Sequence, residues 1–222
     1  MVCDKPRGHG EKLAILHELY FKRCLNKPSL YRKEEQGHLL IVAVYVDDLL
    51  VTGSNIEMIV GYKKDMAAKF DMSNLGKLSY YLGIEVTQRE GSIVLSQEKY
   101  AEKIIEEAGL KECNAVHIPM DASLKLCKAE EEVSVDEMDY RRNIGCLRYL
   151  IHTRLDLACS VGVLSRYMHN PKEYHKAALK QVLRYLKGTL SYGLKFDVGS
   201  QEGLIGYSDS SYNVDPDDGK RK

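Results

Sequence analysis

The segment "LLIVAVYVDDLLVTG", Leu39 to Gly53, interrupts a run of aliphatic side chains with two adjacent carboxylates, Asp47 and Asp48. Seven of the eight residues from Leu39 to Val46 are aliphatic, Tyr45 being the exception, and Leu49-Leu50-Val51 resumes the apolar run. The pattern reads as two buried strands, Leu39–Val46 and Leu49–Thr52, paired around the carboxylates. A tight turn at the pair sets both carboxylates at a hairpin tip facing one cleft. Two carboxylates so close repel, and one of them is normally driven to protonate. A divalent cation relieves that repulsion. Mg²⁺ takes oxygen ligands, typically one or two carboxylates with substrate phosphates and water. Two such ions can hold the attacking and leaving oxygens of an in-line phosphoryl transfer. The competing reading is a surface turn that uses Asp because it tolerates left-handed backbone.

The rest of the chain sets the frame. With 222 residues, 44% apolar and 29% charged, it has the composition of a soluble protein of one large or two small domains. Its longest apolar run falls far short of the roughly 20 residues a membrane helix needs. The N-terminal "MVCDKPRGHGEK" has no apolar signal core, so the expected location is intracellular rather than secreted. Six scattered cysteines form no C-x-x-C pair, which speaks against a zinc site and a disulfide framework. Lysine plus arginine and aspartate plus glutamate balance at 32 each, but unevenly. Glu130 to Asp139 holds six acids and no base, whereas Arg141 to Leu190 holds ten Lys or Arg against two acids. Such a local surplus is a footprint for phosphate binding, or simply a solvated helix surface.

Helices are expected over Glu11–Leu25, from Ile56 to Phe70 behind a capping box begun by Ser54, and from Ser96 as cap to Ala108, closed by Gly109. "KLSYYLGIEVTQ" and "SIVLS" read as a hairpin. Leu110 to Met138 reads as a linker. Three helical segments follow, near Asp139–His152, Asp156–His169 and Pro171–Lys187, the last capped by Asn170. Short strands are expected at Tyr192–Phe196 and Leu204–Ser208. No G-x-G-x-x-G opens a helix after a strand, which excludes a dinucleotide-binding reading.

Tyr-Val-Asp-Asp between apolar strands resembles the active-site hairpin of reverse transcriptases. "FDMSNLGKLSYYLGIEV" and "GSIVLSQEKYAEKII" resemble the block after that hairpin in Ty1/copia-type retrotransposon Pol polyproteins. "DYRRNIGCLRYLIHTRLDLACSVGVLSRYMHNP" and "HKAALKQVLRYLKGTLSYGLKF" resemble the family's thumb and connection, and "LIGYSDSSYNVDPDDGK" the start of its ribonuclease H domain. The resemblance implies an α+β fold. It comprises a partial palm with an antiparallel hairpin and a primer-grip-like hairpin over 1–109, and a linker over 110–138. A helical thumb and connection follow over 139–190, then a connection strand and truncated ribonuclease H start over 191–222. It implies Asp47 and Asp48 as catalytic, Mg²⁺-binding carboxylates and Tyr45 beside the primer end and incoming nucleotide. Leu82 and Gly83 match the turn that holds the primer terminus, and Asp209 the first metal ligand of the ribonuclease H site. Arg141, Arg142, Arg148, Arg154 and Arg184 are candidate phosphate contacts to an RNA/DNA primer–template; no membrane partner is expected.

The family draws a further catalytic aspartate from a strand well before the hairpin. None of the 46 residues ahead of Asp47 reads as that strand, Asp4 being the only aspartate among them. Only 13 residues follow Asp209, and Leu155 stands where the family usually has proline. These departures lead us to expect a fragment of an RNA-directed DNA polymerase that is inactive alone, with Mg²⁺ binding weak or absent. The alternatives are a non-catalytic nucleic-acid-binding protein and an interaction protein derived from the element.

Overall fold

In the computed structural model, which describes residues 2–3, 9–128 and 131–199, the apolar run becomes strand β4 (His38–Tyr45) and the segment after it β5 (Asp48–Gly53). Burial alternates along β4, as it must when one face of a sheet meets a core. Leu40, Val42 and Val44 are buried, while Leu39, Ile41 and Ala43 between them are half-buried. Strand β4 begins and ends one residue earlier than the sequence suggests and β5 extends one residue further at each end, so Val46 and Asp47, not the two aspartates, form the turn.

The chain divides into two compact units, Met1–Leu78 and Ser79–Lys222. In the first, β1 (Val2–Cys3), β2 (Lys22–Arg23), β3 (Leu30–Glu35) and β6 (Met72–Ser73) join the hairpin in an antiparallel sheet of order β2-β3-β4-β5-β1-β6. Helices α1 (His9–Glu18) and α2 (Ile56–Lys69) complete it. Leu16, Phe21, Leu40, Val42, Val44, Leu49, Tyr62 and Met66 make the shared core. Helix α1 stops short of the expected Leu25. Tyr20 adopts a left-handed φ of 63°, Tyr20 N–H donates to the His17 carbonyl and Phe21 N–H to the Leu16 carbonyl, closing a Schellman end. The buried Phe21 and Leu16 supply its apolar contact. Asn55, not Ser54, caps α2: its side-chain oxygen accepts from the Glu57 and Met58 amides. Ser54 Oγ instead accepts from the Leu39 amide at 2.9 Å, pinning the far end of the hairpin.

In the second unit β7 (Tyr80–Tyr81), β8 (Ile84–Arg89), β9 (Ser92–Ser96) and β10 (Gly193–Asp197) form an antiparallel sheet of order β10-β9-β8-β7. Helices α3 (Glu98–Glu107), α4 (Glu137–Leu150), α5 (Ala158–Ser165) and α6 (Glu173–Gly188) surround a core that includes Ile104, Ile144, Leu147, Leu157, Leu164, Val182 and Leu186. Gln97, not Ser96, occupies the N-cap of α3, with no side-chain bond, and Gly109 at φ 67° closes the helix as expected. Asp136 starts α4 early by accepting from the Met138 and Asp139 amides. Helix α5 is shorter than expected because Arg166 and Tyr167 close back onto Val163 and Leu164. Helix α6 starts behind Lys172, whose N–H donates to His175 Nδ1, rather than behind Asn170. The expected linker, Leu110–Met138, gives up its last two residues to α4 and otherwise contains no helix or strand among its described residues, yet it is fastened down. Leu126 is buried, and Tyr167, Tyr174 and His175 all bond the carbonyls of Leu126 or Cys127. The mixed α/β class with antiparallel sheets agrees with the expectation; the strand expected at Leu204–Ser208 and Asp209 lie outside the described residues.

Candidate catalytic hairpin and nucleic-acid contacts

Register fixes the geometry around the aspartates. Tyr45 pairs with Asp48, Val44 with Leu49 and Val42 with Val51. Side chains alternate along a strand, so Val44 and Leu49, both buried, point into the core while Tyr45 and Asp48 share the opposite face. Asp48 is also opposite Val2 of β1, so its backbone is flanked by a strand on each side. Asp47 occupies the second turn position and is half-buried like Asp48.

The turn is strained. Of its two residues only Val46 has a positive φ, 48°, the pattern of a type II′ turn, which ordinarily places glycine there. A β-branched residue in that region is a genuine outlier, and such strain concentrates at functional sites. Val46 is 66% exposed, so burial of its side chain does not explain its choice.

The two carboxylates are oxygen donors of the kind that Mg²⁺ shares with phosphate oxygens and water. Among the described residues no group of three or more His, Cys, Asp or Glu side chains could hold a metal ion.

A second turn stands out in the other unit. Tyr81 pairs with Ile84, leaving Leu82-Gly83 as a two-residue loop with φ of 48° and 78°, a type I′ turn. Leu82 is 41% exposed. The Tyr149 hydroxyl, from the end of α4, donates to the Leu82 carbonyl. A Cβ on Gly83 would meet that hydroxyl at 3.3 Å. The Tyr149 ring lies edge-on to Tyr100 at 5.3 Å and to His152 at 5.6 Å. Burial, with the hydrogen bond to Cys146, pushes the Tyr100 phenol far up.

The five arginines differ sharply. Arg154 is buried. Its Nε and Nη2 grip the Asp156 carboxylate at 3.0 and 2.7 Å, and Nη1 and Nη2 reach the Thr189 carbonyl and hydroxyl at 2.9 and 2.6 Å. Burial alone pushes the Asp156 carboxyl up, but the bonds and charge of Arg154 and the Tyr185 hydroxyl outweigh it and hold the group below its ordinary value. Arg184 is half-buried and donates to the Asn114 carbonyl at 2.7 Å. Arg141 pairs with Glu137 and Arg142 with Asp139, both within α4. Arg148 is exposed in the last turn of the same helix, next to Tyr149. Sequence reasoning missed Tyr149, Tyr100, Asp156 and Thr189, whose partners are distant along the chain or lie in loops; nothing local in the sequence marks them.

The sequence model "Reverse transcriptase (RNA-dependent DNA polymerase)" matches residues 10–122, and the chain belongs to that family. It is 34% identical to the retrovirus-related Pol polyprotein from transposon TNT 1-94 of Nicotiana tabacum, over 91% of this chain and 16% of that protein. To the Pol polyprotein from transposon RE1 of Arabidopsis thaliana it is 32% identical, over 89% of this chain and 14% of that protein. An uncharacterized mitochondrial protein of Arabidopsis thaliana is 33% identical over 78% of this chain and 72% of its own length. The copia-type retrotransposon resemblance is borne out. The chain thus spans about one sixth or less of the first Pol polyproteins it matches. No solved structure matches it. Among the described residues no helix is long and apolar enough to cross a membrane.

Proposed function

We propose that this chain supplies the palm hairpin and part of the thumb of an RNA-directed DNA polymerase, with Asp47 and Asp48 as its metal-binding carboxylates. The observation that carries the reading is the placement of the pair. Asp47 lies in a strained two-residue turn, Asp48 at the first position of a flanked strand, and Tyr45 across from it on the solvent-side face. Mg²⁺, when bound, supplies the positive charge that holds phosphate oxygens in line. The hairpin holds the two carboxylates on a fixed backbone, so little reorganisation is needed when phosphates arrive. Tyr45, 50% exposed beside Asp48, offers a ring face for the primer end or the incoming nucleotide. The Leu82-Gly83 turn holds the primer backbone, and Arg148 with its basic neighbours binds duplex phosphates without reading sequence. Asp209, matched by resemblance to the ribonuclease H site, is proposed as its first metal ligand.

Because the described residues provide no third acidic ligand to complete a two-metal site, the 222-residue polypeptide taken by itself is proposed to be inactive. The test is extension of a primed RNA template with Mg²⁺. The expected result is no added nucleotide. Extension abolished by Asp47→Asn would contradict the incomplete-site reading, and extension indifferent to that change would remove the hairpin from the chemistry. A non-catalytic reading, duplex binding alone, is favoured by the exposed Arg148 in the last turn of α4 and is separated by the binding measurements below.

A further inference from the structure

We propose that Tyr149 is a positioning residue for the primer terminus, acting through the Leu82-Gly83 turn. The inference rests on the reading of that turn as the primer-holding element. Four observations carry it. The turn adopts a type I′ shape in which Leu82, a non-glycine residue, takes φ 48°, a conformation that costs energy and needs an external hold. The hold is present: the Tyr149 hydroxyl donates to the Leu82 carbonyl, a bond spanning 67 residues of chain. The Tyr149 hydroxyl and the edge of its ring fill the space over Gly83, 3.3 and 3.5 Å from a notional Cβ. Tyr100 and His152 pack against the Tyr149 ring edge-on and restrict its rotamer.

The same contact fixes what faces solvent. With the Leu82 carbonyl tied to α4, the exposed side of the turn is left to an incoming backbone, while the missing Cβ at Gly83 is what lets the Tyr149 hydroxyl approach the turn. The exposed Arg148 precedes Tyr149 in the last turn of α4, and the exposed His152, just past the helix, sets its ring against Tyr149. That combination suits a phosphodiester near a strand end. A tyrosine that merely filled the core would be buried; Tyr149 is 38% exposed.

The test compares two DNA–RNA hybrids of equal length, one with a recessed primer 3′ end and one blunt, binding the full chain by fluorescence anisotropy at low salt. Wild type is expected to prefer the recessed end. Tyr149→Phe removes one hydroxyl and keeps the ring, so the preference should fall about three- to tenfold, the factor one neutral hydrogen bond supplies. Blunt-duplex affinity and melting temperature should stay unchanged, and amide exchange in the β7–β8 turn should quicken. A wild-type chain with no preference for the recessed end would overturn the primer-holding reading and this inference together. A preference retained in full by Tyr149→Phe would overturn the inference alone. Equal losses on both hybrids with a lower melting temperature would make Tyr149 a structural residue, and this too would overturn it. Should Tyr149→Phe fold poorly, Tyr100→Phe, which leaves the Leu82 bond intact, is expected to keep the preference; its loss there would count against the proposal.

Discussion

Tyr45 and Asp48 stand opposite each other across the β4–β5 hairpin, on the face turned away from the core that Val44 and Leu49 occupy. Only the two turn residues, Val46 and Asp47, separate them in sequence. An aromatic ring and two carboxylates are therefore held within one turn of backbone, and the strain that this arrangement carries sits on Val46.

That strain is measurable. Asparagine tolerates left-handed backbone better than a β-branched residue, and Val46 buries little surface. Val46→Asn is expected to stabilise the chain by about 1 kcal/mol, read as a higher urea midpoint. A lower midpoint would show that the valine side chain contributes more than its backbone costs.

Arg154 predicts the opposite. Replacing it with Ala leaves the Asp156 carboxylate and the Thr189 carbonyl without their shared partner. The loss should be about 3 kcal/mol, the low end for a buried pair because Asp156 remains partly exposed. An unchanged denaturation midpoint would mean that the guanidinium network adds nothing to stability.

The Asp156 carboxyl also sets a pH dependence. Its value in the folded chain is depressed, so its contribution is fully present above the ordinary unfolded value, about 4. It is lost as pH falls through the folded value. Urea midpoints of wild type and Asp156→Asn should therefore differ most near neutrality and converge below about pH 4. A gap that stays constant with pH would contradict the assignment.

Charge pairing inside α4 makes a further distinction. Glu137 and Asp139 hold Arg141 and Arg142, whereas Arg148 lies exposed at the other end of the helix. Arg148→Ala should weaken binding to a primer–template duplex and reduce the salt slope by about one. Glu137→Gln with Asp139→Asn should tighten it by releasing two competing carboxylates. Binding indifferent to salt and to all of these changes would leave only an interaction protein without nucleic-acid contacts.

The hairpin was legible because long apolar runs flanking two charges admit few other folds, and the helices because their apolar spacing repeats within a few residues; their N-caps were not, Asn55, Gln97 and Lys172 standing where Ser54, Ser96 and Asn170 were expected. The turn was misplaced by one residue, since nothing in Tyr-Val-Asp-Asp announces a left-handed valine. Strand β3, Leu30–Glu35, went unread: four of its six residues are charged, and it forms by pairing with the apolar β4 rather than from its own pattern. Arginine counts could not separate the exposed Arg148 from the buried Arg154, because burial depends on Asp156 and on Thr189, 35 residues away. Tyr149 meeting Leu82 across 67 residues is tertiary information of the same kind.

The central claim is that Asp47 and Asp48 bind a divalent cation together with substrate phosphates, and paramagnetic broadening by Mn²⁺ tests it most directly. In amide NMR spectra recorded with a primer–template and a nucleoside triphosphate present, sub-stoichiometric Mn²⁺ should broaden Val46 to Leu49 first. Asp47→Asn with Asp48→Asn should abolish that local effect while the remaining spectrum keeps its dispersion. Broadening centred elsewhere, or unchanged in the double variant, would contradict the account.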